Sequence, residues 1–199
     1  MKVLGIYGSP RQGGNSDMLL DEALKGARDA GADVSSVRCC ALQIAGCVEC
    51  GGCDETGECV VQDDMQNVYP LLLQCDVIIL ASPMFFYGMT SQAKAVIDRC
   101  QALWCRKRLK GPGGQKRALR QGGGYLICVG ATKGKTLFDG VELVAKYFYD
   151  ALDLPYGRGV FIRSVEGKGD IAKHPEALTK SYELGKTAVT TPGWIAETQ

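Results

Sequence analysis

Five runs crowded with apolar residues alternate along this chain with five segments whose apolar positions recur at helical spacing. Val3 to Tyr7 is the first strand pattern, and Ser16 to Asp29 then sets Met18, Leu19, Ala23, Leu24 and Ala27 on one helical face, with Gly31 just beyond as a stop. Asp33 to Cys40 is a short β segment around Val34 and Val37, so weakly apolar that it suits a sheet edge. From Asp64 to Gln74 a helix turns Met65, Val68, Leu71 and Leu72 inward, with Pro70 predicting a kink or a restart. Asp76-Val77-Ile78-Ile79-Leu80-Ala81 is the strongest strand pattern, nearly continuous in apolar residues, as a central parallel strand covered on both faces requires. A helix over Ser91 to Leu103, a basic glycine-rich connection from Arg106 to Gly124, a strand over Tyr125 to Gly130, a helix over Phe138 to Leu152, a strand over Gly159 to Arg163 and a helix from Pro175 to about Val189 complete the series.

Strict alternation of strand and helix predicts an α/β doubly wound parallel sheet of five strands, in a single domain spanning residues 1–199. In such a sheet the loops after the first four strands leave from one edge, where ligands of this architecture bind. The formal net charge of +1 lacks the basic surplus of a nucleic-acid binder. No apolar run approaches the roughly 20 residues of a membrane span. The start Met1-Lys2-Val3-Leu4-Gly5-Ile6-Tyr7 runs straight into a strand, which predicts a cytoplasmic protein. In that setting the ten cysteines are expected to be thiols or metal ligands rather than disulfides.

Between the first strand and the first helix lies Gly8-Ser9-Pro10-Arg11-Gln12-Gly13-Gly14-Asn15-Ser16. A glycine-rich turn feeding a helix aims backbone N–H groups and the positive end of the helix dipole at one point, which suits a phosphate. The lysine that reaches the terminal phosphate of a triphosphate is absent, as is the G-x-G-x-x-G of dinucleotide folds, so a small monophosphate is the better match. The plainer alternative makes Asn15 and Ser16 ordinary helix caps. After the central strand comes Ser82-Pro83-Met84-Phe85-Phe86-Tyr87-Gly88, a composition able to face a flat apolar ring at the ligand-binding end of the sheet, or else ordinary core. Gly130-Ala131-Thr132-Lys133-Gly134 is a weaker third segment of the same rim.

Residues 41–63 form a glycine- and acid-rich insertion after the second strand, carrying Cys47-x2-Cys50-x2-Cys53-x5-Cys59. Three cysteines at x2 spacing are close to the first three ligands of bacterial ferredoxin motifs and predict a 4Fe–4S cluster. Structural zinc, which favours two widely separated Cys-x2-Cys pairs, and unmetallated thiols are the alternatives. Cys39, Cys40, Cys75, Cys100, Cys105 and Cys128 are scattered and read as core or surface residues. The acid-free run Arg106, Lys107, Arg108, Lys110, Lys116, Arg117 and Arg120 reads first as a solvated connection and second as a docking patch for an acidic carrier. The single histidine, His174, reads as a surface residue.

The glycine- and hydroxyl-rich loop resembles the phosphate loop of flavodoxin-like FMN proteins, above all the NADPH-dependent FMN reductase group. With the cysteine motif after the second strand, the whole chain resembles the iron–sulfur flavoproteins. The resemblance implies strand order 2-1-3-4-5, with Ser9, Arg11, Gly13, Gly14, Asn15 and Ser16 on the FMN phosphate. It further implies Ser82, Pro83, Met84, Phe85, Phe86, Tyr87 and Gly88 at the ring, Thr132 and Lys133 along its edge, and Cys47, Cys50, Cys53 and Cys59 on the cluster. The implied activity is FMN-dependent electron transfer, with ferredoxin or NAD(P)H as donor, a small-molecule acceptor, and a homodimer or homotetramer as the assembly. A metal-free NAD(P)H-dependent quinone or FMN reductase, and a thiol- or metal-sensing module without turnover, are the competing functions. No side chain is singled out as an acid, base or nucleophile.

Overall fold

A computed structural model describes residues 1–109 and 122–191. Its strands β1 (Lys2–Tyr7), β2 (Asp33–Arg38), β3 (Val77–Pro83), β4 (Gly123–Val129) and β5 (Tyr156–Ile162) make one parallel sheet in the order β2-β1-β3-β4-β5. That is the expected order, and burial explains it. Every residue of β4 and all but the last of β3 are buried, matching their unbroken apolar runs, whereas β2 is half exposed at the edge.

The helices α1 (Asn15–Asp29) and α6 (Pro175–Thr190) cover one face of the sheet. On the other face lie α2 (Met65–Gln74), α3 (Ser91–Arg99), α4 (Gln101–Leu109) and α5 (Asp139–Ala151). Each face closes its own core, one around Leu19, Leu20, Ile79 and Ile127, the other around Leu4, Ile78, Leu126 and Phe148. No helix among the described residues is long and apolar enough to cross a membrane.

Two local readings change. The single helix expected over Ser91 to Leu103 is two helices, because the backbone tightens at Cys100. There Cys100 N bonds Ile97 O at 2.9 Å and Leu103 N bonds Cys100 O at 2.9 Å, i to i+3 bonds that end one helix and start the next. The second helix then takes in Arg106, Lys107 and Arg108, which the sequence assigned to a connection. Lys107 is held by Asp150 at 2.8 Å and Asp153 at 3.5 Å, and Arg108 lies over the Trp104 ring at 5.1 Å. Lys110, Lys116, Arg117 and Arg120 lie outside the described residues. Pro70, in turn, neither ends nor restarts α2, which runs through it.

The carboxyl edge of the sheet is laced together by bonds between successive loops. Gly8 N donates to Ala81 O at 2.8 Å, Met84 N to Val129 O at 2.8 Å, Gly130 N to Ile162 O at 2.9 Å and Val165 N to Gly130 O at 3.2 Å. Thr90, buried, caps α3 by accepting from Ala93 N at 3.2 Å and turns its hydroxyl onto Gly8 O. These bonds make the rim one preformed surface.

Candidate functional site

A cleft of ≈ 190 Å³ opens on this rim, walled by Ser9, Arg11, Gly14 and Ser16 on one side and Pro83, Met84, Phe85, Gly130 and Ala131 on the other. Its floor is the loop before α1. Ser9 Oγ accepts from Arg11 N at 3.0 Å and donates to Arg11 O at 3.2 Å, and Gly14 N bonds Arg11 O at 3.0 Å, closing a tight turn. Gly13 has φ +67, and its N–H is held by Asp17 Oδ2 at 3.0 Å, a conformation that a side chain at this position would strain. Asp17 is buried and neutralised by Arg38 at 2.6 Å, whose guanidinium also lies 4.3 Å from the Tyr7 ring centre. Burial first, then the hydrogen bond to Asp21, raises the Tyr7 phenol far above its ordinary range, so it stays protonated.

The helix-cap reading of Asn15 and Ser16 does not hold. Gly14 occupies the cap position of α1, with no side chain capping it. Asn15 also lines the cleft, but both ends of its side chain are taken, Nδ2 donating to Gly167 O at 2.8 Å and Oδ1 accepting from Ile171 N at 3.2 Å. Ser16 is only 1% exposed and its hydroxyl has no partner among the described residues. An orphaned hydroxyl on an uncapped helix N-terminus, beside Arg11 in a cleft, is what a phosphate would satisfy.

The opposite wall is a strained aromatic turn. Phe85 and Gly88 exchange backbone bonds of 2.9 Å in both directions, and between them Phe86 and Tyr87 take φ +48 and +60. Left-handed backbone at two bulky residues in succession costs about 1–2 kcal/mol each. The turn nevertheless holds Phe86 out of the core at 106% exposure, beside exposed Phe85 and Tyr87. Strain that displays aromatic surface instead of burying it marks a place where something flat is to be met. Ser82 sits beneath, fully buried, its hydroxyl donating to Pro83 O at 3.0 Å and accepting from Thr90 N at 3.4 Å, so it braces the turn. Thr132 and Lys133 are exposed and are not among the cleft's lining residues.

A separate cavity of ≈ 200 Å³ gathers all four clustered cysteines, Cys47, Cys50, Cys53 and Cys59, together with Arg99, Gln101 and Asp54. Among the described residues no cysteine is in a disulfide. The segment has no regular structure, and left-handed turns at Glu49, Gly51 and Gly57 fold it back on itself. Its ends pair with each other, Gln43 N with Asp64 Oδ2 at 2.8 Å and Ala45 N with Asp63 Oδ2 at 3.0 Å, and they are anchored to the fold by Arg99, the last residue of α3, only 1% exposed. Its guanidinium reaches Ala45 O at 3.0 Å, Val61 O at 3.2 Å and Asp63 Oδ2 at 2.6 Å, tying both ends of the segment to one point. Burial raises the Cys59 thiol, but hydrogen bonds from Val61, Tyr69 and Arg99 outweigh it and leave the thiol below its ordinary value. Cys53 is pushed up to about 11, by burial and then by Cys105 beside it. Four soft donors around one cavity, with a buried cation against their negative charge, are a fitting donor set for a thiolate-ligated cluster.

Sequence reasoning missed Arg99, Thr90, and the segment Val165, Glu166 and Lys168 after β5, which also lines the rim cleft. A turn signal, Gly167-Lys168-Gly169, was available for the last of these. Arg99 fell inside a helix pattern expected to run on to Leu103, with nothing local to set it apart.

The family model described as NADPH-dependent FMN reductase matches residues 1–137. An iron–sulfur flavoprotein of Archaeoglobus fulgidus is 35% identical over 190 residues, covering 93% of this chain and 77% of its own length. Another, of Methanocaldococcus jannaschii, is 31% identical over 162 residues, covering 81% of this chain and 77% of its own. Among solved structures a flavone reductase superposes with a TM-score of 0.70 at 19% identity, over 95% of this chain and 62% of that one, a likeness of fold alone.

Proposed function

Because the chain belongs to the NADPH-dependent FMN reductase family, and within it to the iron–sulfur flavoproteins, we propose that it is an FMN-dependent electron-transfer oxidoreductase with a 4Fe–4S cluster as its second redox centre. One observation carries the reading. The same chain holds a cleft that ends in an unsatisfied buried hydroxyl on a helix N-terminus and, apart from it, a cavity lined by four thiols.

Arg11, Ser9, Ser16 and the backbone of Gly13 and Gly14 hold the phosphate, by charge-assisted bonds and the helix dipole. Asp17 would repel a phosphate, but Arg38 cancels its charge while it fixes the Gly13 turn. Pro83, Met84, Phe85 and Gly88, with Phe86 and Tyr87 at the turn tip, cover the ring and keep water from it, and Ser82 and Asn15 position the two walls. Thr132 and Lys133 stand beside the cleft, where a cation stabilises a developing negative charge. Bound FMN would supply hydride and single-electron transfer, and a cluster single-electron transfer only. Cys47, Cys50, Cys53 and Cys59 are the ligands, and Arg99 offsets their charge. The donor is ferredoxin or NAD(P)H, the acceptor a small molecule, the setting the cytoplasm, and the assembly a homodimer or homotetramer.

The test is Cys47→Ser in protein made without oxygen. A serine hydroxyl is a poor substitute for thiolate. Iron should be lost, FMN should stay bound, and reduction of the flavin by a ferredoxin-type donor should fall far more than its reduction by dithionite. A variant that keeps both iron and ferredoxin-linked activity contradicts the assignment.

A further inference from the structure

Cys105, in α4, is 0% exposed, yet its sulfur faces more than carbon. It lies 3.8 Å from Cys53 Sγ and 3.4 Å from Asp54 Oδ1, and Gln101 Nε2 donates to it at 3.7 Å. The ligand atoms of Cys53, Asp54 and Cys105 all fall within 4.8 Å of one another. The backbone brings them there. A side chain at Gly57 would meet Arg106 Cα at 2.6 Å, so α4 lies directly on the cysteine segment and sets Cys105 under Cys53. The turn above is closed by Asp54 N to Gly51 O at 3.0 Å and Gly57 N to Cys53 O at 2.8 Å, which holds Cys53 and Asp54 side by side.

Tetrahedral zinc, with arms of about 2.3 Å to sulfur and about 2.1 Å to oxygen, sets ligand edges of about 3.8 Å between two sulfurs and about 3.6 Å from sulfur to oxygen. Two of the three edges here are 3.8 and 3.4 Å, and the third, between Cys53 and Asp54, is no longer than 4.8 Å, so an ion at the centre needs at most that edge to close. Two thiols and a carboxylate are a donor set for a borderline-soft divalent ion. Exposed Asp54 and half-buried Cys53 give such an ion a path from solvent, and buried Cys105 closes the inner side.

We propose that Cys53, Asp54 and Cys105 form a second metal site, which takes one zinc-class divalent ion when the chain carries no cluster. Each thiol gives its proton to solvent, so two protons leave for each ion bound. The ion gains two thiolates and one carboxylate, water fills the fourth position, and no electron moves. The site does not rest on the cluster reading. The two centres compete for Cys53, so loading one displaces the other.

The test uses the full-length FMN-bound chain, prepared anaerobically and free of iron, titrated with Co²⁺ as a spectroscopic probe and then with Zn²⁺. One equivalent of Co²⁺ should give tetrahedral ligand-field absorption to the red of the flavin bands, with two protons released, and Zn²⁺ should displace it. Loss of an outer-shell partner typically weakens metal binding 10–100-fold, so losing a direct ligand in Cys105→Ser should weaken it by more than about 100-fold. Since a serine in that buried position can itself disturb the fold, Asp54→Asn, at an exposed position, is the second variant. It should weaken binding tenfold or more, with the circular dichroism unchanged. Cys47→Ser should leave the site intact. A parent that binds no Co²⁺, binding that survives Asp54→Asn undiminished, or binding abolished by Cys47→Ser overturns the proposal. Iron content of the parent reconstituted with iron and sulfide judges the cluster separately, since a chain that takes up none contradicts the cluster and leaves this site standing.

Discussion

In the rim cleft every wall hangs from the end of a strand of the sheet, and bonds between neighbouring loops hold it in shape. In the cysteine cavity the walls belong to a segment without regular structure, whose ends are joined by bonds from Ala45 N to Asp63 and between Gln43 and Asp64 and are anchored to the body of the fold by one buried arginine. The first inherits its geometry from the sheet. The second depends on a side chain 36 residues away from the aspartate it pairs with. Damage should therefore spread differently: many small losses in the cleft, and one large loss in the cavity.

Arg99→Ala should have the largest effect. It strands Asp63 without its partner and frees Ala45 and Val61, and breaking a buried pair costs about 3–5 kcal/mol. Denaturant unfolding should show that loss, and iron uptake should fall while the sheet's circular dichroism persists. Flavin lost in step with iron would break the contrast between the regions. The same pair sets an acid limit. Burial raises the Asp63 carboxyl, but Arg99 and the N–H groups of Ala45 and Met65 hold it below its ordinary value. A carboxyl lowered in the fold contributes stability above its unfolded value near 3.9, and that stability is lost as pH falls through the folded value. Asp63→Asn should flatten this acid limb, and an unchanged limb would remove Asp63 from the account.

Arg11→Ala comes next. A charged hydrogen bond is worth about 1.5–3 kcal/mol, so FMN affinity should fall roughly 10–100-fold in a fluorescence titration, with iron uptake unaltered. Gly13→Ala imposes φ +67 on a residue with a side chain and should cost about 1–2 kcal/mol of thermal stability, since open space rather than a clash surrounds the new methyl. Ser16→Ala should be the mildest, weakening FMN by about 1 kcal/mol, or roughly fivefold, while leaving the stability of the FMN-free chain unchanged or raised. If Ser16→Ala leaves FMN affinity unaltered, the orphaned hydroxyl is not on the phosphate.

The sequence made the cleft legible and the cavity's support illegible for one physical reason. Burial on both faces writes an unbroken apolar run, so Val77 to Ala81 and Tyr125 to Val129 announced central strands, and the topology then fixed which loops share an edge. The cysteine ligands were readable because their spacing is local. Arg99 was not, since its partners Ala45, Val61 and Asp63 meet it only through tertiary folding. Asn15 shows the same limit: the sequence offered it as a phosphate contact or a cap, and its use in holding Gly167 and Ile171 depends on a segment 152 to 156 residues away. The break at Cys100 was hidden because apolar spacing continues across it.

The central claim is that one chain carries both a flavin mononucleotide and an iron–sulfur centre. It is tested most directly by flavin and iron analysis of protein purified without oxygen, alongside its absorbance spectrum. The account predicts about one FMN per chain, released as the monophosphate, with about four irons bleaching from a broad visible absorbance on acid treatment. Recovery of FAD, or of no flavin after reconstitution with FMN, contradicts the cleft. A full complement of FMN with no iron under any reconstitution contradicts the cluster.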